Sequence, residues 1–207
     1  MEQEARPSPA GRPVGRGPKV RAAVLAAAMA ELAEVGYSAL TMDGVAQRAG
    51  VHKTTVYRRW PDRDALLVDA LTDHAATQTP IPDTGTLESD LRELARSIVA
   101  LLISSPADRA WIAAMSSDAA RLPEMAAVKR RFYADRFRRA EPVVDRAVAR
   151  GELPADVDPP ELLKTLIAPI YLRFLVTGEP VDDAVAEHAA RVTVAAARAG
   201  VLGSAPR

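Results

Sequence analysis

The chain has 207 residues, of which 48% are hydrophobic and 4% aromatic, and its formal net charge is zero. This hydrophobic content is enough for a core, and the lack of cysteine excludes disulfides, thiolate nucleophiles and zinc sites built on Cys. No apolar run reaches the ~18 residues of a membrane span, and the N-terminus lacks the apolar stretch of a secretory signal. We therefore expect a cytoplasmic protein with no membrane partner.

The charge is unevenly distributed along the chain. The stretch from residue 6 to residue 63 has ten basic residues against four acidic ones, a net charge of +6, so the remainder carries −6. A basic N-terminal part followed by an acidic remainder fits a protein that contacts phosphate at one end only. A solvated surface with chance asymmetry explains the charge equally well.

The first 79 residues predict four helices behind a basic arm at residues 1–17, which is rich in Pro and Gly. Pro18 suits the first turn of a helix whose apolar face runs from Leu25 to Val35, and Gly36 is placed to end it. Thr41 is a good N-cap for a second helix closed at Gly50. A third spans residues 53–60, and Asp62 caps a fourth.

The breaker-rich segment at residues 79–85 predicts a boundary between a domain at 18–79 and a second domain at 80–207. Apolar spacing in the second domain predicts five further helices, of which the third, from Glu124 to about Arg150, is interrupted at Pro142. The scarcity of alternating apolar and polar residues and the abundance of alanine favour an all-α fold of about nine helices. An N-terminal three-helix unit would then precede a C-terminal helical body.

Residues 41–60 predict two short helices joined by a tight turn, as a helix-turn-helix requires. Val45, Val56 and Trp60 would bury the pair against the first helix. The exposed side of the second helix would then carry side chains able to reach base edges or phosphates in a major groove. These are Lys53, Thr54, Thr55, Tyr57 and Arg58.

The same region resembles the tetracycline-repressor (TetR) family: residues 40–46 read LTMDGVA and residues 49–61 read AGVHKTTVYRRWP. The C-terminal sequences AVARGELP (147–154) and DVDP (156–159) resemble one subgroup of that family. The resemblance implies a ligand-responsive transcriptional repressor that a small molecule releases from its operator, and not an enzyme. It also implies that Thr41 and Tyr57 contact phosphates and that Arg63 lies near the DNA backbone. His52 and Thr54 depart from the family pattern, which usually has Ser and often Gly at these positions.

The resemblance further implies a double-stranded operator, a small-molecule effector, and a homodimer formed through helices 8 and 9. Aromatic and Met side chains line adaptable pockets, so the sequence predicts eight candidates for the effector pocket, although ordinary core packing explains each of them as well. They are Trp111, Met115, Met125, Phe132, Tyr133, Phe137, Tyr171 and Phe174. A basic cluster at residues 129–139 either attracts an anionic ligand or forms a solvated helix face.

Two other functional classes remain open at this stage. An enzyme is disfavoured because His52, His74 and His188 are isolated in sequence and no phosphate-binding loop or nucleophile elbow is present. No cofactor or metal is expected. A DNA-binding activator, or an architectural protein without a ligand, fits the helix-turn-helix equally well, although the large apolar helical body speaks mildly against an architectural role.

Overall fold

The computed structural model describes residues 16–116 and 122–203, and these fold into α-helices joined by short turns. The helices are α1 (Arg16–Ala39), α2 (Met42–Arg48), α3 (Lys53–Arg59), α4 (Arg63–Gln78), α5 (Leu87–Ser104), α6 (Pro106–Ser116), α7 (Pro123–Ala149), α8 (Pro159–Leu172) and α9 (Asp183–Arg198). A π-helical turn, Arg173–Thr177, follows α8. The all-α prediction is confirmed.

Local hydrogen bonds at the helix ends follow the predicted capping signals. The Thr41 hydroxyl accepts from the Gly44 amide at 3.0 Å at the start of α2, and the Asp62 carboxylate accepts from the Ala65 amide at 2.7 Å at the start of α4. Each bond satisfies an amide that has no partner within its own helix. Gly36, with φ of 75°, breaks α1 at the predicted position, because only glycine adopts this backbone conformation without strain.

Three details differ from the sequence prediction. Helix α1 begins at Arg16, two residues before Pro18, so the last two residues assigned to the basic arm are helical. Val35, at the end of the expected apolar face, is largely exposed. Helix α7 runs without interruption through Pro142, which lies on the solvent side, where water can hydrate the carbonyl four residues earlier that the proline leaves without a partner.

Helix α1 is long and apolar enough to cross a membrane by length and composition alone, over Gly17–Ala39. In the folded chain it packs against α2, α4 and α6, and Val24, Ala28 and Leu32 are completely buried. Core helices of globular domains have this same apolar character. The hydropathy of α1 is therefore accounted for by its place in the core.

The two halves of the chain share one hydrophobic core. Helices α1–α4 form the N-terminal unit, in which α2 packs on both α1 and α3. Helix α5 lies in the C-terminal half and contacts α6, α7, α8 and α9. Packing of α1 against α6 and of α4 against α7 joins the halves, so α4 belongs to both.

Candidate DNA-binding surface and effector cavity

Helices α2 and α3 are held at a fixed angle by a short turn and by buried apolar side chains. Gly50 takes a φ of 66°, and the Val51 amide donates to the Ala46 carbonyl at 3.1 Å across the turn. Val45 and Val56 are fully buried and anchor the two helices to the core. The opposite face of α3 is therefore turned to solvent.

The predicted contact residues of α3 lie on this outward face. Lys53, Thr54 and Arg58 are exposed, and the Tyr57 side chain is 48% exposed, which is unusual for an aromatic ring. Thr55 is half-buried, and Thr41 is exposed at the start of α2. Positions 54, 57 and 58 follow the helical spacing of three and four residues, so the structure brings them to one side of α3.

Arg63 stands apart from the other predicted contacts. It is half-buried as the first residue of α4, and its guanidinium lies 4.4 Å from the centroid of the Tyr37 ring. It donates to the Tyr37 hydroxyl at 3.0 Å and to the Asp64 carboxylate at 3.3 Å. Burial raises the pKa of Tyr37, so its hydroxyl stays protonated. These contacts fix Arg63 at the N-terminal end of α4, four residues after the end of α3.

The outward face of α3 carries positive charge that the protein leaves largely uncompensated. Arg58 and Arg59 are exposed and form no ion pair within the described residues. The Lys53 ammonium is 3.8 Å from the Asp43 carboxylate, but both side chains are exposed, so water weakens this pair. In contrast, Arg48 of α2 donates to the Glu31 carboxylate at 2.7 Å. Arg59, whose guanidinium lies 5.6 Å from the centroid of the Trp60 ring, is a further exposed cation of α3 that was not among the predicted contacts.

A hydrogen-bonded cluster that the sequence did not predict connects α3 to α1 and α4. The Asp69 carboxylate accepts from the Arg21 guanidinium at 2.6 Å and from the Trp60 indole N–H at 3.0 Å. Arg21 also donates to Asp73 at 2.8 Å, one helical turn along α4. No local signal reveals these pairs, because their members are 9 to 52 residues apart in sequence.

A cavity of about 190 Å³ lies between α4, α5, α7 and α8. Its walls combine small and branched apolar side chains with a few polar ones. The lining residues are Thr72, Ala75, Ala76, Thr79, Ile81, Leu94, Ile98, Asp135, Arg136, Phe137, Arg139, Ala140, Leu163 and Ile167. A concave, mostly apolar space with a few polar groups is the usual form of a small-molecule site.

Of the seven predicted pocket residues whose side chains the structure describes, only Phe137 lines this cavity. The rings of Trp111 and Phe132 pack edge to face at 5.8 Å, and Tyr133 contacts Phe132 at 5.1 Å and Tyr171 at 6.4 Å. Large side chains fill space, so this cluster is packed core, whereas the cavity remains where alanines leave room. Burial raises the pKa of Tyr133 far above its ordinary value.

Met125 and Phe174 also lie outside the cavity lining. Met125 is fully buried, and Phe174 is partly buried against the core. Met115 lies on α6, and its side chain is outside the described residues. Among residues 16–116 and 122–203, no group of three His, Asp or Glu side chains is placed to hold a metal ion.

Two family models match this chain. The model described as "Bacterial regulatory proteins, tetR family" matches residues 24–70, which include the helix-turn-helix. The model described as "Tetracyclin repressor-like, C-terminal domain" matches residues 81–193, more than half of the chain. The chain belongs to the TetR family of transcriptional regulators. It is therefore a DNA-binding regulator, and its helix-turn-helix is the element that meets DNA.

Relatives and solved structures of the TetR family agree with this assignment. The chain is 31% identical over 84% of its length to the regulator YdeS of Bacillus subtilis, covering 86% of that protein. It is 36% identical over 83% of its length to the DNA-binding transcriptional repressor TetR of Mycobacteroides abscessus, covering 90% of it.

Two solved structures of other proteins share the fold along most of this chain. A TetR family transcription regulator aligns with a TM-score of 0.69 and 30% identity over 91% of this chain and 100% of its own. The flavonoid-responsive regulator FrrA aligns with a TM-score of 0.58 and 25% identity over 86% of this chain and 94% of its own. The predicted family membership is confirmed.

Proposed function

We propose that this TetR-family protein is a cytoplasmic repressor that a small molecule releases from its operator. The observation that carries the proposal is the position of the cavity, because one of its walls is the C-terminal half of α4. The N-terminal end of the same helix begins four residues after α3 ends. Helix α4 has 16 residues and spans about 24 Å, so it connects the cavity to the DNA-binding surface as one rigid element.

Contacts along α4 indicate how the connection works. Thr72, Ala75 and Thr79 border the cavity, while Asp69 binds Arg21 of α1 and Trp60 at the end of α3. A molecule that moves the C-terminal half of α4, which borders the cavity, also displaces Asp69 and the hydrogen bonds by which it holds the end of α3. Release follows to the extent that the molecule prefers the displaced state over the DNA-binding state.

Named relatives support both parts of the proposal. The relative from Mycobacteroides abscessus is a DNA-binding transcriptional repressor, and the structural neighbour FrrA is a flavonoid-responsive regulator. The cavity of this chain has predominantly apolar walls. Repression and release by an apolar effector are therefore the functions that we assign to it.

We further propose that two copies pair through α8 and α9. Large apolar side chains are exposed along this part of the chain, a pattern typical of a protein-protein interface. They are Leu172, Leu175, Val176 and Val192. Two-fold pairing of this face would present two α3 helices to DNA half-sites spaced ~34–36 Å apart or a multiple of that distance.

The proposed DNA contacts are the residues predicted from the sequence, and their proposed roles follow from their positions in the structure. Thr54, Tyr57 and Arg58 on the outward face of α3 reach base edges and phosphates, together with Lys53 and Thr55 at its start. Thr41 contacts a phosphate from the start of α2. Arg63, at the N-terminal end of α4, fixes the side chain of Tyr37 and adds positive charge near the DNA backbone.

A mobility-shift titration with the intergenic DNA upstream of the protein's own gene tests the proposal. The wild-type protein is compared with the double variant Tyr57→Ala, Lys53→Ala and with Arg130→Ala, which removes an exposed cation outside the motif. We expect sequence-selective binding that weakens with salt, as phosphate contacts dictate. The double variant should lose binding, and Arg130→Ala should retain it. Equal binding by all three proteins would refute the assigned surface.

A second titration with the same DNA tests control by a small molecule. A library of apolar compounds is added to the complex, and released DNA is measured. Compounds that release wild-type protein should fail with Ala140→Leu, in which a larger side chain fills the cavity from α7. Release that is unaffected by this substitution would show that the effector binds elsewhere.

A further inference from the structure

The charged lining of the proposed effector cavity comes from α7 alone. Its apolar walls come from α4, α5, α7 and α8. The charged side chains that border it are Asp135, Arg136 and Arg139, which lie within five residues of one another on α7. The threonines Thr72 and Thr79 are the other polar side chains of the lining. A molecule that fills this space must therefore be mostly apolar, with a polar group that meets α7.

The negative charge of the Asp135 carboxylate is compensated by two arginines of the same helix. One oxygen accepts from Arg139 at 2.6 Å, and the other accepts from Arg138. Asp135 therefore neither attracts a cationic ligand strongly nor offers a free counter-ion to its neighbours. Arg139 donates its Nε–H to this pair.

Arg136 is the cation at the cavity that has no carboxylate partner within the described residues. Its guanidinium donates to the neutral Thr79 hydroxyl at 2.9 Å and lies 6.0 Å from the centroid of the Phe132 ring. The side chain is half-buried, so its charge is only partly hydrated. A guanidinium presents five N–H donors in a planar fork that matches the two oxygens of a carboxylate.

Thr72 also borders the cavity. The Thr72 hydroxyl oxygen is inaccessible to solvent and forms no hydrogen bond with any described residue. A buried hydroxyl without a partner is uncommon, because leaving it unbonded costs free energy.

The cavity volume limits the size of the ligand. An engineered apolar cavity of about 150 Å³ is known to accommodate benzene. The cavity here measures about 190 Å³, so it accommodates one six-membered ring with a short substituent. Larger polycyclic molecules would require the walls to move.

We propose that the effector is a small apolar acid, with a single ring or a branched alkyl body of that size, and that Arg136 binds its carboxylate. This inference rests on the proposed effector-controlled function and specifies its ligand class. The apolar walls disfavour phosphates and sugars, because these would lose hydration along most of their surface. The lone cation disfavours amines by direct repulsion.

The same anchor explains how the acid acts on α4. Thr79 follows the last residue of α4, and its hydroxyl donates to the Ala75 carbonyl at 2.7 Å while it accepts from Arg136. Arg136 thus fastens the C-terminal end of α4 to α7. A carboxylate forms stronger hydrogen bonds with a guanidinium than a neutral hydroxyl does, so a bound acid draws Arg136 away from Thr79.

Binding of two matched ligand pairs to the full-length protein tests the proposal. Benzoate and phenylacetate are compared with benzamide and phenylacetamide, which keep the ring and shape but lack the charge. Affinity is measured by calorimetry at neutral pH, and release by mobility shift with the operator fragment. We expect each acid to bind at least about tenfold more tightly than its amide and to release DNA.

Variants assign the preference to its residue. Arg136→Met keeps the apolar stem and should weaken binding of the acids by roughly 10- to 100-fold, the range for a hydrogen bond to a charged group, with little change for the amides. Arg136→Lys keeps the charge without the fork and should give an intermediate affinity. Ala140→Leu should abolish binding of both classes. Circular dichroism of each variant verifies that it is folded.

Three results would overturn the inference: equal affinity for acid and amide, unchanged acid binding by Arg136→Met, or no binding of either class by the wild type. None of them bears on the proposed repressor function, which the same gels test through selective binding of the unliganded protein to DNA. If that binding fails while the acids still bind, the proposed function fails and the assigned ligand class stands.

Discussion

The carboxylate of Asp69 joins the three helices on which the DNA-binding unit depends. One of its oxygens accepts from Arg21 of α1 at 2.6 Å, and the other accepts from the indole of Trp60, just after α3, at 3.0 Å. Asp69→Asn preserves the shape of the side chain but leaves a single acceptor oxygen. The variant can therefore satisfy only one of the two donors, and it also removes the negative charge.

The expected cost follows from the number and exposure of these bonds. A hydrogen bond to a charged group contributes about 1.5–3 kcal/mol when it is shielded from water. The Asp69 side chain is 34% exposed, and Arg21 keeps a second partner, Asp73, at 2.8 Å. Water and Asp73 therefore offset part of the loss. We expect the free energy of unfolding to fall by about 1–2 kcal/mol, which lowers Tm by roughly 2–8 °C for a chain of this length.

Thermal unfolding monitored by circular dichroism measures this effect, and operator affinity measures its functional consequence. Asp73→Asn is the matched control: it removes only the more exposed half of the Arg21 pair and should cost less. Trp60→Phe removes only the indole donor, and the double variant with Asp69→Asn should be less destabilised than the sum of the two singles. A Tm for Asp69→Asn equal to that of the wild type would refute the reasoning.

Four further predictions concern separate parts of the molecule. Thr41→Ala removes the N-cap of α2 and should lower the free energy of unfolding by about 0.5–2 kcal/mol, whereas Thr41→Ser should restore it in chemical denaturation; equal stability of the two variants would contradict the capping role. Ala140→Leu places apolar volume in the cavity and should raise the free energy of unfolding by about 0.5–2 kcal/mol without weakening DNA binding, and a large loss of stability would show that the site has no room for it. Burial opposes ionisation of Glu152, but its hydrogen bond from the Leu87 amide and its charged neighbours prevail and lower its pKa. A lowered folded-state pKa stabilises the protein above the ordinary value of 4.5, and this contribution is lost as pH falls through the folded-state pKa, so Glu152→Gln should be destabilising at neutral pH and nearly neutral well below pH 4.5; a pH-independent difference in denaturant titrations would argue against it. Val176→Glu introduces charge on a side chain that is 73% exposed, so it should shift sedimentation from dimer to monomer with little change in helix content, and a persistent dimer would exclude the α8–α9 face.

The helix-turn-helix could be predicted because its determinants are close together in sequence. Thr41 caps an amide three residues away, and Gly36 and Gly50 take backbone conformations that favour glycine wherever the chain must turn. The buried positions Val45 and Val56 follow from helical periodicity alone. Family membership and the all-α fold are confirmed on this basis, while the individual DNA contacts stay predictions.

The cavity could not be predicted in the same way, because the sequence offers only large aromatic and Met side chains as markers of a pocket. In the folded chain Trp111, Phe132 and Tyr133 pack against one another and leave no space between them. Ala75 and Ala140 border the cavity instead, and an alanine gives no sign in sequence that its partner across the core is also small. The continuity of α7 through Pro142 was missed for a related reason, since it depends on which side of the helix faces water.

By itself the sequence determined the helices, their caps and the exposed basic face of α3, because each depends on hydrogen bonds and periodicity within a few residues. Only the tertiary structure decided where the cavity lies, that Asp69 connects three helices, and that Arg136 faces the cavity without a carboxylate partner among the described residues. These features join side chains from distant helices. Whether such side chains fill a space or leave it open depends on their combined volumes and charges, which no local pattern records.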